Sequence, residues 1–293
     1  MTISALAAAY LFFGGAGAGT LFFAVLTSWL RLESPQAQRA ADRGLGVGLA
    51  FLVVGAICLI FDLGRPDQAL LLFFNPTWSF LTVGSYLLVA LMLLAGALLV
   101  ISLTGAGKRW SFLLPVLRGL LLVCAVGVMV YTGLLLRDLR PIPLWSSWWL
   151  PVLFLFSSLA AGAAVCFLCA SPWGMDFRTR RAVERRFAGL DILLVAGEVV
   201  AVLLLMLLPG TPLGPASESL AQAGRHALLI GLPGALFVGG FGLCAVACPF
   251  AGDVLAMRGA SREHTLSVIA LASILGCFCL RMALVLAGLH VGV

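Results

Sequence analysis

The residues of this chain that could do chemistry are few, and several stand near the ends of long apolar stretches. Asp62 and Arg65 follow one another closely at one such end. Tyr10 and Tyr131 lie at similar depths inside two other stretches. Phenols can donate hydrogen bonds to the carbonyl groups of a quinone, and a carboxylate can accept the proton of a quinol. These four residues therefore indicate a candidate quinone site.

Each of these residues also has a structural interpretation. Asp62 and Arg65 could form a surface ion pair that ends a helix. Tyr10 and Tyr131 could belong to the belt of aromatic residues found at membrane surfaces. The sequence by itself leaves both alternatives open.

A second pair of charged residues, Glu198 and Arg281, lies deeper in its apolar stretches. Charges at such depth are costly, and they usually face a partner or a water-filled cavity. We favour a structural ion pair between the two, which would link two helices. Alternatively, Glu198 could pass protons through the membrane. Asp191 lies closer to the end of its stretch, where its carboxylate could reach the membrane surface.

Eight apolar stretches must position these residues. The protein has 293 residues, of which 62% are hydrophobic and 10% charged, whereas soluble domains contain about 25% charged residues. The stretches suit helices that cross a hydrocarbon core of about 30 Å, and they lack the alternation of barrel strands. They cover 3–30, 44–61, 78–101, 111–136, 148–170, 188–208, 225–248 and 264–289. The sequence predicts one all-α integral membrane domain with eight transmembrane helices.

Arginine and lysine predict the orientation of these helices. Twelve of these residues lie in the loops after spans one, three, five and seven, and four lie in the opposite loops. Because cytoplasmic loops carry the excess of positive charge, we expect both termini in the periplasm. The net charge of +6 reflects this bias and does not indicate nucleic-acid binding.

Spans one and five share a pattern of aromatic residues followed by small ones. The sequence at 11–19 is LFFGGAGAG, and the sequence at 154–162 is FLFSSLAAG. Small residues let membrane helices approach closely. Since both spans run in the same direction, the match suggests two four-helix bundles related by a parallel repeat, with halves 1–143 and 144–293.

Histidine and cysteine argue against a metal centre in this protein. The three histidines lie near span ends, whereas a membrane haem needs paired histidines deep in facing helices. Cys166 and Cys169 form a CxxC, but the clustered run typical of iron–sulfur proteins is absent. We expect no haem, iron–sulfur cluster or other metal in this subunit.

Aromatic residues and prolines are concentrated on the predicted outer face. Trp78 begins the third span, and Trp145 lies in the proline- and tryptophan-rich connection before the fifth. The predicted outer face therefore carries aromatic residues and prolines but few charges.

The order of these motifs resembles one known family. The run from Asp62 to Pro66, continuing to Asn75-Pro76, is similar to the outer loop of the NrfD/PsrC family, the membrane subunits of polysulfide-reductase-type complexes. The motifs at 131–136 and 142–158 and the tail at 276–288 resemble the same family. The resemblance covers nearly the whole sequence.

The resemblance implies an eight-helix subunit of the bacterial inner membrane that binds menaquinone or ubiquinone near the periplasmic face. It also implies a ferredoxin-like partner with four iron–sulfur clusters and a molybdopterin or multihaem catalytic subunit. Tyr131 matches a quinone-contacting tyrosine, and Tyr10 stands where some members have a histidine. Asp62 and Arg65 match the outer-loop motif.

We therefore expect the membrane anchor of a respiratory oxidoreductase that exchanges electrons between a quinone and an iron–sulfur partner. Tyr131 and Asp62 would be its catalytic residues. The quinone-binding set would comprise Tyr10, Asp62, Arg65, Trp78, Tyr131 and Trp145. One alternative is a secondary transporter, although only span seven is interrupted, at Pro233 and Gly234. Another is an anchor without a quinone site.

Overall fold

The computed structural model consists of helices that are long and apolar enough to cross a membrane. It describes residues 5–29, 35–62, 80–105, 107, 111–138, 145, 147–170, 177–208, 226, 228–258 and 265–291. The helices are α1 Ala5–Trp29, α2 Pro35–Asp62, α3 Phe80–Leu103, α4 Leu114–Asp138, α5 Trp149–Cys169, α6 Phe177–Leu207, α7 Gly231–Met257 and α8 Thr265–Val291. Eight candidate spans and no strand occur in the described residues. The prediction of an all-α, multi-pass membrane protein is confirmed.

Consecutive helices run in opposite directions. Near the start of α1, Gly14 packs against Gly55 near the end of α2, and Ala24 packs against Gly44. The beginning of α1 and the end of α8 therefore lie at one end of the bundle. We call this the tyrosine end, because the protein's three tyrosines lie towards it. The opposite end, where most of the described arginines lie, is the arginine end.

Two helices extend beyond their predicted spans at the arginine end. α2 begins at Pro35 and α6 at Phe177, about two to three turns earlier than hydropathy predicted. Their first turns contain several arginines, which lower the local hydropathy. Arginine, alanine and glutamate nevertheless favour helix, so the helices continue past the apolar slab.

The four helices of each half of the molecule pack in a closed ring. α1 and α3 each contact both α2 and α4, and α5 and α7 each contact both α6 and α8. The rings meet mainly where α1 packs on α5, α4 on α5, and α1 on α8. Under this pattern α1 and α5 hold equivalent positions. A parallel repeat would produce the same arrangement, and the repeat itself stays a prediction.

The interface between the two rings is a crossing of helix backbones. A Cβ atom on Gly19 of α1 or on Gly162 of α5 would overlap the backbone of the other helix. One turn away, a Cβ on Gly15 would lie 2.7 Å from Arg281 Nη2. The runs of small residues thus allow the close approach that holds membrane helices together.

α7 is not a regular α-helix. After a first turn at Gly231–Gly234, it is π-helical over Ala235–Ala247 and α-helical again over Cys248–Met257. Pro233 lies in the first turn, where a missing N–H breaks no intrahelical hydrogen bond. Pro233 therefore begins the helix, and the expected interruption of span seven is corrected. The helix also continues past the predicted end at 248.

Candidate functional site

Tyr10 of α1 and Tyr131 of α4 bring two phenols together towards the tyrosine end. Their side chains are only 2% and 4% exposed. The two hydroxyls are close enough to interact electrostatically, yet neither completes a hydrogen bond within the described part of the chain. Buried hydroxyls are normally hydrogen-bonded. The pair therefore fits a ligand that accepts hydrogen bonds.

Gly84 of α3 determines where the Tyr131 ring can lie. A Cβ atom on Gly84 would overlap three atoms of that ring. The ring therefore packs directly on the backbone of α3, and its hydroxyl is held beside Tyr10. No pattern in the sequence pointed to Gly84, since its partner is a residue of another helix.

Asp62 is the last residue of α2 and is partly buried at the tyrosine end. The fold thus places its carboxylate at the same end of the bundle as Tyr10 and Tyr131. Arg65 and Trp78 lie outside the described residues. The pairing of Asp62 with Arg65 and the position of Trp78 in a pocket stay predictions.

Trp145 is fully buried against α8. Its Nε1 donates a hydrogen bond to the carbonyl oxygen of Leu284 at 3.1 Å, and its ring fills the space beside Gly288. The indole N–H is therefore used within the protein and is not a donor for a quinone. Trp145, which precedes α5, is thereby anchored to helix α8. Contact of its ring with a quinone stays a prediction.

We expect Trp145→Phe to lower the free energy of unfolding by about 1–3 kcal/mol, since it removes a buried hydrogen bond and leaves a gap. Trp148→Phe is the matched control, because Trp148 is exposed and stacks on Arg137. It should cost less than about 1 kcal/mol. Chemical unfolding in detergent measures both. Equal losses for the two variants would contradict the anchoring role of Trp145.

Glu198 and Arg281 belong to a polar cluster deep in the α5–α8 ring. Arg281 Nη2 donates to Ser158 Oγ at 2.7 Å, and Cys277 Sγ donates to Glu198 Oε1 at 3.6 Å. The direct ion pair that we favoured from the sequence is not among the contacts of the described residues. The two charges are instead connected through α8, on which Cys277 and Arg281 lie one turn apart.

Arg281 joins the two rings of helices. Its guanidinium lies near the rings of Phe12 and Phe154, with 5.7 and 5.3 Å between the guanidinium carbon and the ring centroids. It also packs on Gly15 of α1. Its Nε and Nη1 atoms have no hydrogen-bond partner in the described part of the chain. A fully buried cation thus lies between α1, α5 and α8 with only part of its hydrogen-bonding capacity used.

Nearer the arginine end, Asp191 meets a second carboxyl group, that of Asp253, which sequence reasoning passed over. Asp191 of α6 and Asp253 of α7 are both fully buried. Their carboxyl groups are close enough to interact electrostatically, and no hydrogen-bond partner for either is found among the described residues. The expectation that Asp191 reaches the membrane surface is therefore wrong, because α7 covers it. The mostly apolar residues 249–257 were the feature of the sequence that could have indicated that α7 continues past Asp253.

No group of three or more His, Cys, Asp or Glu side chains that could hold a metal occurs among the described residues. The cysteines are free thiols. Cys166, one member of the CxxC, donates to the carbonyl oxygen of Thr20 at 3.2 Å. It thereby contributes to the contact between α5 and α1. The expectation that this subunit holds no haem or iron–sulfur cluster stays a prediction.

Comparison with known proteins supplies the family. The family model described as "Polysulphide reductase, NrfD" matches residues 3–292. The chain belongs to the NrfD family. This NrfD-family protein is 34% identical to protein NrfD of Escherichia coli, over 66% of each sequence. It is 32% identical to the C subunit of polysulfide reductase of Wolinella succinogenes, over 53% of its own length and 54% of that subunit.

The alignments thus span just under two thirds of the Escherichia coli protein and about half of the Wolinella succinogenes subunit. The NrfD family match, by contrast, includes both rings of helices. The tyrosine pair in the first ring and the buried charges in the second therefore both lie inside the NrfD family region. The resemblance predicted from the motifs is confirmed.

Proposed function

We propose that this protein is the quinone-binding membrane subunit of a respiratory oxidoreductase complex in the bacterial inner membrane. The observation that carries the proposal is the buried pair of Tyr10 and Tyr131 hydroxyls, which find no hydrogen-bond partner among the described residues. A quinone has two carbonyl oxygens that become hydroxyls on reduction. A phenol can donate to the first form and accept from the second, so it suits both oxidation states.

The arrangement also suggests how the reaction proceeds. Oxidation of a menaquinol or ubiquinol releases two electrons and two protons. Tyr10 and Tyr131 orient the headgroup, and Asp62 accepts the two protons one after the other and passes each to water at the tyrosine end. The electrons pass to a ferredoxin-like subunit with four iron–sulfur clusters. That subunit passes them on to a molybdopterin or multihaem catalytic subunit. The reverse direction reduces the quinone with the same residues.

The distribution of arginine favours an outer location for this site. The tyrosine end carries few positive charges, and under the positive-inside rule it faces the periplasm. A quinone diffusing in the bilayer would enter between helices, and the electron-transfer partner would dock above the same end.

Binding of a quinol analogue to the purified protein tests the proposal. We expect saturable binding to the wild type, and an affinity about tenfold lower for Gly84→Ala. The added methyl group would displace the Tyr131 ring from α3. Fluorescence quenching during titration measures both affinities.

Gly96→Ala is the matched control, because Gly96 lies on the same helix and a Cβ there meets no atom within 4 Å. Its affinity should equal that of the wild type. Absence of saturable binding to the wild type would contradict the proposal and favour an anchor without a quinone site.

One observation favours the alternative of a secondary transporter. Glu198, Asp191 and Asp253 are fully buried in one half of the bundle, as substrate or ion sites of transporters are. Uptake of a solute into vesicles by this protein without partner subunits would support that alternative.

A further inference from the structure

A cavity opens at the arginine end between the four helices of the α1–α4 ring. Its volume is about 350 Å³, and cavities of about 300–1,000 Å³ are typical of sites for small ligands. Each of the four helices contributes to its wall. We call it the arginine-end cavity. It lies at the opposite end of the ring from Tyr10 and Tyr131, so the proposed quinone site does not use it.

Two opposite charges lie in the wall of this cavity. Asp42 of α2 is partly buried, and its Oδ1 accepts a hydrogen bond from Ser102 of α3. Arg118 of α4 is also partly buried. Among the described residues, its guanidinium has no charged or hydrogen-bonding neighbour. The two charges therefore share one cavity without pairing with each other.

These polar side chains lie at the depth of lipid headgroups. Asp42 and Ser102 stand just outside the apolar stretches 44–61 and 78–101. Arg118 lies one turn after the start of α4, and helical side chains lean towards the N-terminus of their helix. Since α4 begins at the arginine end, the guanidinium can reach the membrane surface.

The remaining wall is apolar on one side and open on the other. Val25, Leu45 and Leu98 line the deeper part, each about one turn further into the membrane than a polar residue of the same helix. Gln38 and Gly105 lie at the arginine end of the cavity and are exposed. The cavity thus suits a molecule that is charged at one end and apolar at the other.

We propose that the arginine-end cavity binds the headgroup of a phospholipid that carries a primary ammonium group, such as phosphatidylethanolamine. The phosphate accepts hydrogen bonds from Arg118, whose guanidinium matches phosphate geometry. The ammonium group donates to Asp42, which keeps free lone pairs besides the one that Ser102 uses. The glycerol backbone lies on the apolar part of the wall. One ligand thereby pairs both charges.

The charges of the cavity favour a zwitterionic headgroup over an anionic one. Asp42 and Arg118 are the charged residues among the described residues of the wall, so a headgroup whose two charges cancel is complementary to them. The anionic headgroup of phosphatidylglycerol has no cation for Asp42 and would place a phosphate near that carboxylate. Such an unpaired charge lowers affinity.

The wall also favours a primary ammonium group over the quaternary ammonium of choline. A quaternary ammonium has no N–H to donate, and proteins recognise it with aromatic rings. None of the described residues that line the cavity is aromatic. A carboxylate instead suits an ammonium group that donates hydrogen bonds.

The surroundings favour a membrane lipid over a soluble phosphate ester. On the outer faces of α3 and α4 at this depth, apolar side chains are exposed, namely Val100, Leu103, Val116 and Leu120. In a bilayer such side chains face the acyl chains. A lipid with its headgroup in the cavity can therefore keep its acyl chains in the membrane.

Native mass spectrometry of the purified full-length protein tests the proposal. The protein is titrated with phosphatidylethanolamine, phosphatidylglycerol or phosphatidylcholine of identical acyl chains, so that differences in affinity come from the headgroup. We expect the wild type to bind its first phosphatidylethanolamine at least about tenfold more tightly than either of the other two lipids.

Two variants separate the two charges. Arg118→Gln should lower the affinity for phosphatidylethanolamine about tenfold, because the phosphate loses its charged donor. Asp42→Asn should lower that affinity and raise the affinity for phosphatidylglycerol, so that the order of the two lipids reverses. A gain for one lipid cannot result from a damaged fold.

Arg137→Gln is the matched control. Arg137 lies in the last turn of the same helix as Arg118, at the tyrosine end, where it stacks on Trp148. The substitution removes the same charge outside the cavity. This variant should retain the wild-type affinities for all three lipids.

The possible results separate the proposal from its rivals. Equal wild-type affinities for the three lipids, or an unchanged affinity in Arg118→Gln, overturn the site. A wild-type preference for phosphatidylglycerol overturns the pairing of both charges. Displacement of the lipid by an equal concentration of glycerophosphoethanolamine would identify a soluble ester as the occupant and overturn the membrane source. Quinol binding at the tyrosine end is measured separately, so the proposed function can fail or stand independently.

Discussion

Replacing Tyr131 with phenylalanine is expected to lower quinol-linked electron transfer about 100-fold while the complex still assembles. The substitution removes only the hydroxyl, so the ring still packs on Gly84. Because that hydroxyl has no partner among the described residues, its loss should cost little stability. Steady-state turnover with a quinol analogue, and co-purification of the partner subunits, measure the two effects separately.

Tyr86→Phe is the control for this prediction. Tyr86 lies on α3 at a comparable distance from the tyrosine end, but it is 42% exposed. An exposed tyrosine at this depth is typical of the interfacial belt, and we expect its variant to turn over at the wild-type rate. Unchanged turnover of Tyr131→Phe would show that the Tyr131 hydroxyl takes no part in the quinone site. An equal loss in Tyr86→Phe would show a general effect of phenols at this depth.

The second large effect is expected at the crossing of α1 and α5. Gly162→Val should lower the free energy of unfolding by at least about 3 kcal/mol, because the new side chain meets backbone atoms of α1 at Gly19 that cannot move aside. Thermal unfolding of the detergent-solubilised protein, together with the yield of folded protein, measures this loss.

Gly96→Val is the matched control, since a Cβ at Gly96 contacts no atom within 4 Å. Both substitutions place the same β-branched residue in a membrane helix. The difference between their losses of stability therefore measures the effect of the close packing of α1 on α5. A melting temperature of Gly162→Val equal to that of Gly96→Val would contradict the close packing of the two helices.

The crossing also connects the phenol pair with the buried Arg281. α1 carries Tyr10 in one ring, and through Gly15 it contacts Arg281 of the other. A displacement of α1 would therefore disturb both the phenol pair and the surroundings of Arg281. We therefore expect the small residues of α1 and α5 to affect the proposed quinone site as well as stability.

The sequence by itself determined the class of the protein and much of its topology. A bilayer leaves backbone groups no water to bond, so a protein with these apolar stretches must form helices. Spacing along each stretch also indicated the depth of Tyr10, Tyr131, Glu198 and Arg281. The ends of α2, α6 and α7 were less accurate, because hydropathy follows the apolar slab while helix propensity continues beyond it.

Only the tertiary structure decided which side chains meet. Depth along a helix can be counted from the sequence, but the direction in which a side chain points depends on the rotation of each helix and on its neighbours. Glu198 bonds Cys277, and Trp145 bonds the backbone of α8. Asp191 meets Asp253 because α7 extends past its predicted end and packs over α6. Such pairings arise between residues that are far apart in the sequence, so local patterns of residues carry no record of them.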